Sequence, residues 1–220
     1  PDVLLLNNIL KPESQSNRAK LKPITGAEPV SGDTPILKNV TAMIHPHTYI
    51  HPNAKLATNV KIDPFTVIHQ NVEIGEGTWI GSNVTIMEGA SIGKNCRIFP
   101  GAVIAAIPQD LKFEGEETMV EIGDNTTIRE FVTINRGTKD RWKTKVGKNC
   151  MIMAYSHLAH DCLIGNNCIM SNNSQIAGHV EMGDWAILGG MCAVHQFVKI
   201  GQHSFVSGGS LVGKDVPPYI

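Results

Sequence analysis

The stretch His157-Leu-Ala-His160-Asp161 sets two imidazoles three residues apart and puts a carboxylate directly after the second. Imidazole takes and returns protons near neutral pH, and an adjacent carboxylate fixes its tautomer and stabilises its protonated form. Two further pairs, Gly178-His179 and His195-Gln196, follow at steps of about 18 residues. A glycine in such a series can offer its amide to a developing oxyanion, provided that the N–H is not spent on a sheet. Neighbouring residues of a flat strand point to opposite faces, so a His160–Asp161 pair requires a corner or a local twist. On spacing alone, two readings of His160 stand: a general base, or a stacked structural imidazole. His45, His47, His51 and His69 lie earlier and are accounted for by corner or surface positions.

A six-residue register brings these distant pairs together. An aliphatic residue occupies every sixth position from Ile44 to Val212, and only Asp110, Glu116 and Asp140 break the series, so 26 of 29 sites comply. The third residue after the aliphatic is often Asn or Gly, as at Asn53, Asn59, Asn71, Gly77, Asn83, Asn95, Asn125, Asn149, Asn167 and Asn173. Those residues accept positive φ most cheaply. Each hexad therefore predicts a short strand and a corner, and repeats of this period build parallel β-helices. Three hexads close a triangular coil of 18 residues, and about nine coils stack. His160 then lies near Gly178 and His179 on the next coil, and those near His195 and Gln196 on the one after. The flat faces of such a prism suit packing about a threefold axis, so a homotrimer is expected.

Cys96, Cys150, Cys162, Cys168 and Cys192 all fall two residues before a register aliphatic, in a slot shared with Val60, Thr66, Ala90, Ser156, Ser174 and Ala186. That is a small-residue site beneath a bend, with structural thiols. The net charge of −1 gives no footprint for a nucleic-acid partner. No apolar run reaches the roughly 18 residues of a membrane span, and residues 1–43 lack the layout of a secretory signal. A soluble, cytoplasmic protein is expected.

Two excursions leave the register, at about Pro108 to Val120 and about Gly137 to Lys145. Long loops on a regular scaffold are candidates for function. Arg129, Arg136, Arg141, Lys143, Lys145 and Lys148 form a local basic cluster around the second. Residues 1–43 carry no hexad and read as an extended or disordered arm. Met43 as an original start would make that arm an addition of fusion type, while Val3 to Leu10 alternatively reads as a small docking peptide.

The segments IPQDLKFEGEET (107–118), IGDNTTIREFVTINRGT (122–138), HLAHDCLIGNNCIMSNNSQIAGHV (157–180), VHQFVKIG (194–201) and DVPPYI (215–220) strongly resemble the UDP-N-acetylglucosamine O-acyltransferase family of lipid A biosynthesis. The resemblance covers about Ile44 to Ile220. It implies an all-β fold, a left-handed parallel β-helix; the hand comes from the resemblance alone, since general crossover rules favour the opposite one. It also implies transfer of a 3-hydroxyacyl chain from the thioester of acyl carrier protein to the 3-hydroxyl of UDP-N-acetylglucosamine, the first step of the pathway, with no cofactor and no metal. In the family's pattern His160 matches the general base, Asp161 its partner and the Gly178 amide the oxyanion donor. Gln109, Asp110, Lys112, His157, His179, His195 and Gln196 match sugar-nucleotide positions. Gly208 matches the end of the acyl groove, where the lack of a side chain leaves room for a relatively long chain. The basic cluster would steer the acidic carrier protein. Family members continue after this last segment into a helical C-terminal domain, which is expected to be absent here.

Two other chemistries fit parts of the pattern. One is the N-acyltransferase acting later in the same pathway, but the 43-residue arm is too short for its uridine-binding domain. The other is a zinc-dependent, gamma-type carbonic anhydrase drawing its ligands from His157, His160, His179 and His195. A β-solenoid without a site would leave the histidines and the first excursion unexplained.

Overall fold

The computed structural model describes residues 43–220, so the expectations for residues 1–42 lie outside the described residues. The described residues form 26 short strands in three parallel sheets of nine, nine and eight. The chain visits the sheets in rotation: Met43–Ile44 opens the first, Tyr49–Ile50 the second and Lys55–Leu56 the third, and Lys61–Ile62 returns to the first. Register residues pair with register residues, Ile44 with Ile62, Ile50 with Ile68 and Leu56 with Ile74. The result is the left-handed parallel β-helix that the resemblance implies.

The largest fully buried side chains, among them Ile62, Ile98, Ile128, Leu158 and Ile176, are all register residues. Each contributes about 1.5–3 kcal/mol by leaving water, and no single centre gathers them. The corners turn through the left-handed region, with φ between +52° and +60° at Asn59, Asn71, Asn83, Asn95, Asn125, Asn149, Asn167 and Asn173. Asn53 does not share this conformation. The same slot also takes Phe131, Tyr155, Asp161, His179, Trp185 and Phe197, all at positive φ. For such side chains the conformation costs about 1–2 kcal/mol, and ring stacking between coils offsets part of it. Phe131 lies on Tyr155 at 5.2 Å and His179 on Phe197 at 4.5 Å.

The small-residue slot does more than save space. Cys150 Sγ–H points to Gly165 O at 3.1 Å, Cys162 to Ala177 O at 3.2 Å and Ser174 Oγ–H to Gly189 O at 3.1 Å. Each donor satisfies a corner carbonyl of the following coil, a role that reading these thiols as small hydrophobes misses. Burial pushes the Cys162 thiol up to about 12, so it stays a neutral donor.

The two excursions interrupt coils at one edge. Register partners are ordinarily 18 positions apart, as Leu158 and Ile176 are, but Ile104 pairs with Ile134, 30 positions on, and Ile134 with Leu158, 24 on. The first insertion therefore adds two hexads and the second adds one, and Asp110, Glu116 and Asp140 break the register because they lie in these loops. Both excursions leave the second sheet and rejoin the third. They are shorter than the sequence suggests. Met119–Ile122 and Lys143–Val146 are strands, paired Met119 to Lys143 and Val120 to Thr144, because the returning ends of the two loops pair with each other.

The corner conformation has a measurable consequence. Asn167→Ala is expected to lower stability by about 1–2 kcal/mol, whereas Asn167→Gly stays within about 0.5 kcal/mol of the parent. Urea unfolding checks both, and equal losses in the two variants would mean that the Asn167 side chain, not its backbone, holds that corner.

Candidate active site

The edge between the second and third sheets carries the predicted cluster. Asp161 sits at a corner with φ +59°, and this turn swings its carboxylate back beside the preceding imidazole. His160 Nδ1 is 2.8 Å from Asp161 Oδ2. The corner that the pairing requires is therefore present. An ionised carboxylate only accepts, so Nδ1 carries the hydrogen and Nε2 is the free nitrogen of His160.

Asp161 is fully buried, and a buried charge is costly unless it is hydrogen-bonded. The second excursion supplies the donors. The Thr138 amide donates to Oδ1 at 3.0 Å, the Thr138 hydroxyl to Oδ2 at 2.6 Å and the Arg141 amide to Oδ1 at 3.3 Å. Arg141 also donates from Nη1 to the Asp161 carbonyl at 3.2 Å and pairs with Glu181 at 2.6 Å. Burial opposes ionisation of Asp161, but the Thr138 hydroxyl, His160 and the Thr138 amide outweigh it and hold the carboxyl below its ordinary range. Neither Thr138 nor Arg141 is singled out by the sequence as part of this site. A signal was present, since the second insertion leaves the same edge one coil before Asp161.

Gly178 lies one coil on, and its backbone is in contact range of the His160 ring: an added Cβ would fall 2.6 Å from Cε1 and 2.7 Å from Nε2. Among the described residues, no protein group accepts a hydrogen bond from the Gly178 amide, while its carbonyl accepts from Phe197 N at 3.1 Å. The donor is thus unspent beside the free nitrogen of His160, which meets the condition set for an oxyanion site.

His179 meets His160 edge-on at 5.1 Å between ring centroids and stacks on Phe197. Its Nε2 is 3.8 Å from Asp161 Oδ2 and 3.7 Å from Asp140 Oδ2. Burial keeps His179 below the ordinary imidazole range, although Asp161 pulls the other way. His157 is lowered by burial as well, and its Nδ1 lies 2.7 Å from Thr133 Oγ1. Asp110 reaches in from the first excursion, with Oδ2 3.9 Å from His160 Nε2. Gln109 and Lys112 flank it and are exposed, as are His195 and Gln196. His195 Nδ1 lies 3.1 Å from the Gln196 carbonyl. Gly208 is not part of this cluster; it stands at the corner between the first and second sheets, with the Gly190 carbonyl beside it.

The basic cluster of the sequence is dispersed and largely neutralised. Arg129 pairs with Glu130, Arg141 with Glu181, Lys143 with Glu121 and Lys148 with Asp124. The donor atoms of His160, Asp161 and His179 lie within 4.8 Å of one another. A cation there would have to displace both the His160 and the Thr138 hydrogen bonds to Asp161 Oδ2.

Residues 71–106 and 143–178 match the family described as bacterial transferase hexapeptide (six repeats). The acyl-[acyl-carrier-protein]--UDP-N-acetylglucosamine O-acyltransferase of Thiobacillus denitrificans is 52% identical over 168 residues, 76% of this chain and 65% of that protein. The solved UDP-N-acetylglucosamine acyltransferase of Bacteroides fragilis is 51% identical, with a TM-score of 0.80 over 81% of this chain and 70% of that one. The Francisella novicida enzyme superposes equally well, with a TM-score of 0.80, 47% identity and cover of 81% of this chain and 65% of that one. The six-residue repeats and the three parallel sheets are those of the hexapeptide-repeat transferase class. The chain belongs to the UDP-N-acetylglucosamine O-acyltransferase family, and it spans about two thirds or less of the length of the curated relatives it matches.

The two lowered imidazoles tie stability to pH. Unfolded, His157 and His179 take up protons as pH falls through 6.5; folded, they do so only at lower pH. Their contribution is complete above that value and is lost as pH falls below it. The urea midpoint is expected to drop over this range, and to drop less steeply in the His157→Gln, His179→Gln double variant. An equal slope in parent and variant would assign the loss to other groups.

Proposed function

We propose that this chain transfers a 3-hydroxyacyl group from acyl carrier protein to the 3-hydroxyl of UDP-N-acetylglucosamine, the first step of lipid A biosynthesis. The observation that carries the reading is the His160–Asp161 pair beside the unspent Gly178 amide. His160 Nε2 takes the sugar hydroxyl proton as that oxygen attacks the thioester carbonyl, and the oxyanion forms against the Gly178 N–H. Collapse of the intermediate breaks the C–S bond, and the imidazolium returns its proton to the departing thiolate. Asp161 keeps the ring in the productive tautomer and stabilises the imidazolium. No covalent enzyme intermediate is needed.

Asp110 is near the position the acceptor hydroxyl would occupy, 3.9 Å from Nε2. Gln109, Lys112, His157, His179, His195 and Gln196 are assigned to the sugar nucleotide, with Lys112 suited to a phosphate. A homotrimer is part of the proposal. Its support is that Lys112, His195, Gln196 and Phe197 leave the His160 edge open on one side. Gly208, assigned to the end of the acyl groove, stands at a different corner, more than two coils on but short of the third coil at Leu211, so a groove joining the two would run between subunits. A cytoplasmic location belongs to the same reading; no helix among the described residues is long and apolar enough to cross a membrane.

Transfer from 3-hydroxyacyl carrier proteins of several lengths to UDP-N-acetylglucosamine is the direct test. His160→Ala is expected to lower kcat by about 10²–10⁴-fold while the urea midpoint is kept, and Gly208→Met to shift preference toward shorter chains. Transfer that survives His160→Ala would overturn the assignment of the base, and a folded parent without transfer would overturn the activity for this chain.

A further inference from the structure

We propose that Thr138 is a positioning residue for the dyad: its hydroxyl shares Asp161 Oδ2 with the His160 Nδ1–H and thereby sets both the orientation of the carboxylate and the basicity of His160. This rests on the reading of His160 as the base. The geometry is specific to one oxygen. Asp161 Oδ2 receives the Thr138 hydroxyl at 2.6 Å and His160 Nδ1 at 2.8 Å, while Oδ1 receives the Thr138 and Arg141 amides at 3.0 and 3.3 Å. Thr138 is itself 7% exposed, so water does not readily replace its hydroxyl. Backbone donors alone would fix Oδ1 and leave Oδ2 to the imidazole. The hydroxyl instead draws off part of the negative charge that stabilises an imidazolium.

The other charged or titratable groups facing the pair are accounted for. Asp110 faces His160 Nε2 at 3.9 Å, and His179 faces both the ring and Asp161 Oδ2, the latter at 3.8 Å. Asp140 lies beyond His179 at 3.7 Å, and the Arg141 guanidinium is held by the Asp161 carbonyl and Glu181. None of these makes a hydrogen bond to Oδ2.

Removal of the Thr138 hydroxyl leaves Asp161 more basic toward His160. The imidazolium gains stability, so the pKa of His160 rises and the neutral base appears only at higher pH. Thr138→Val is isosteric and keeps the backbone donor; Thr138→Ser keeps the hydroxyl. Histidine 13Cε1 NMR titration, with the His160 signal assigned from its loss in His160→Ala, should show an upward shift of about half a unit to one unit in the Val variant. The Ser variant should match the parent. In transfer assays the acid limb of kcat/KM should move up by the same amount in Val, with kcat reduced about tenfold and KM for the sugar nucleotide unchanged. If Val does not fold, Thr138→Ala gives the same two readings. An unmoved His160 titration in the hydroxyl-less variant, or a Ser variant that behaves like Val, overturns the role of Thr138. A shifted titration in a parent without transfer leaves that role standing and removes the acyltransferase reading. Transfer with an unmoved titration does the reverse.

Discussion

Every coil of this molecule must bend three times while keeping one aliphatic side chain per edge in line with those above and below, and that demand is met by left-handed residues at the corners. Where Asn or Gly holds the slot the turn is cheap. Where Asp161, His179 and Phe197 hold it along a single edge, at φ +59°, +64° and +67°, the backbone is strained in the same sense in three successive coils. The stack of His179 on Phe197 and the donors around Asp161 offset that strain. The corner also does chemical work, because it turns a carboxylate toward the side chain of its own neighbour. A straight strand would have sent the two to opposite faces.

That carboxylate sets the second requirement. Asp161 has no solvent exposure, and the regular coil has few spare donors, since its amides are spent on parallel pairing. The donors come from the second excursion, through Thr138 and Arg141, while the first brings Asp110 to the opposite nitrogen of the imidazole. The excursions touch each other as well: the Thr118 hydroxyl donates to the Gly137 carbonyl at 2.6 Å and Lys139 Nζ lies 3.7 Å from Glu114 Oε2. The scaffold supplies a rigid ladder, and the loops supply the polarity that the ladder lacks.

The hexad made the architecture legible, because burial at a fixed period is a local property that survives in the order of residues. The stacking of His160, Gly178 and Gln196 was legible for the same reason. Across the excursions the count deceives: each insertion is a whole number of hexads, so the numbering continues through Asp110, Glu116 and Asp140 although the coil does not. Carboxylates at core positions were the warning, since unpaired charges do not fill such an interior. Contacts made by loops were legible only as far as the edge the loops leave, not residue by residue. Nothing in the order of residues says that Thr138 meets Asp161 23 positions on, or that Lys143 and Lys148 are neutralised by Glu121 and Asp124. The donor role of the Cys and Ser slot was also hidden, because small size alone explained it.

The edge that carries the excursions is also the edge that carries the histidines, and the coincidence has a physical basis. Inside the coils, polar side chains must be small enough to reach one carbonyl, as Ser174 and Cys162 do. A reactive imidazole cannot sit there; it needs an outer edge with one nitrogen anchored and the other free. An outer edge is wet, which weakens the electrostatic interactions that the proposed acyl transfer relies on. Loops folded against that edge exclude water from one side of His160, and Asp161, Gly178 and His179 become buried there although they lie at corners. Insertions at either of the other two edges would enclose no imidazole of this series, so the placement of the loops and of the imidazoles are two expressions of one constraint.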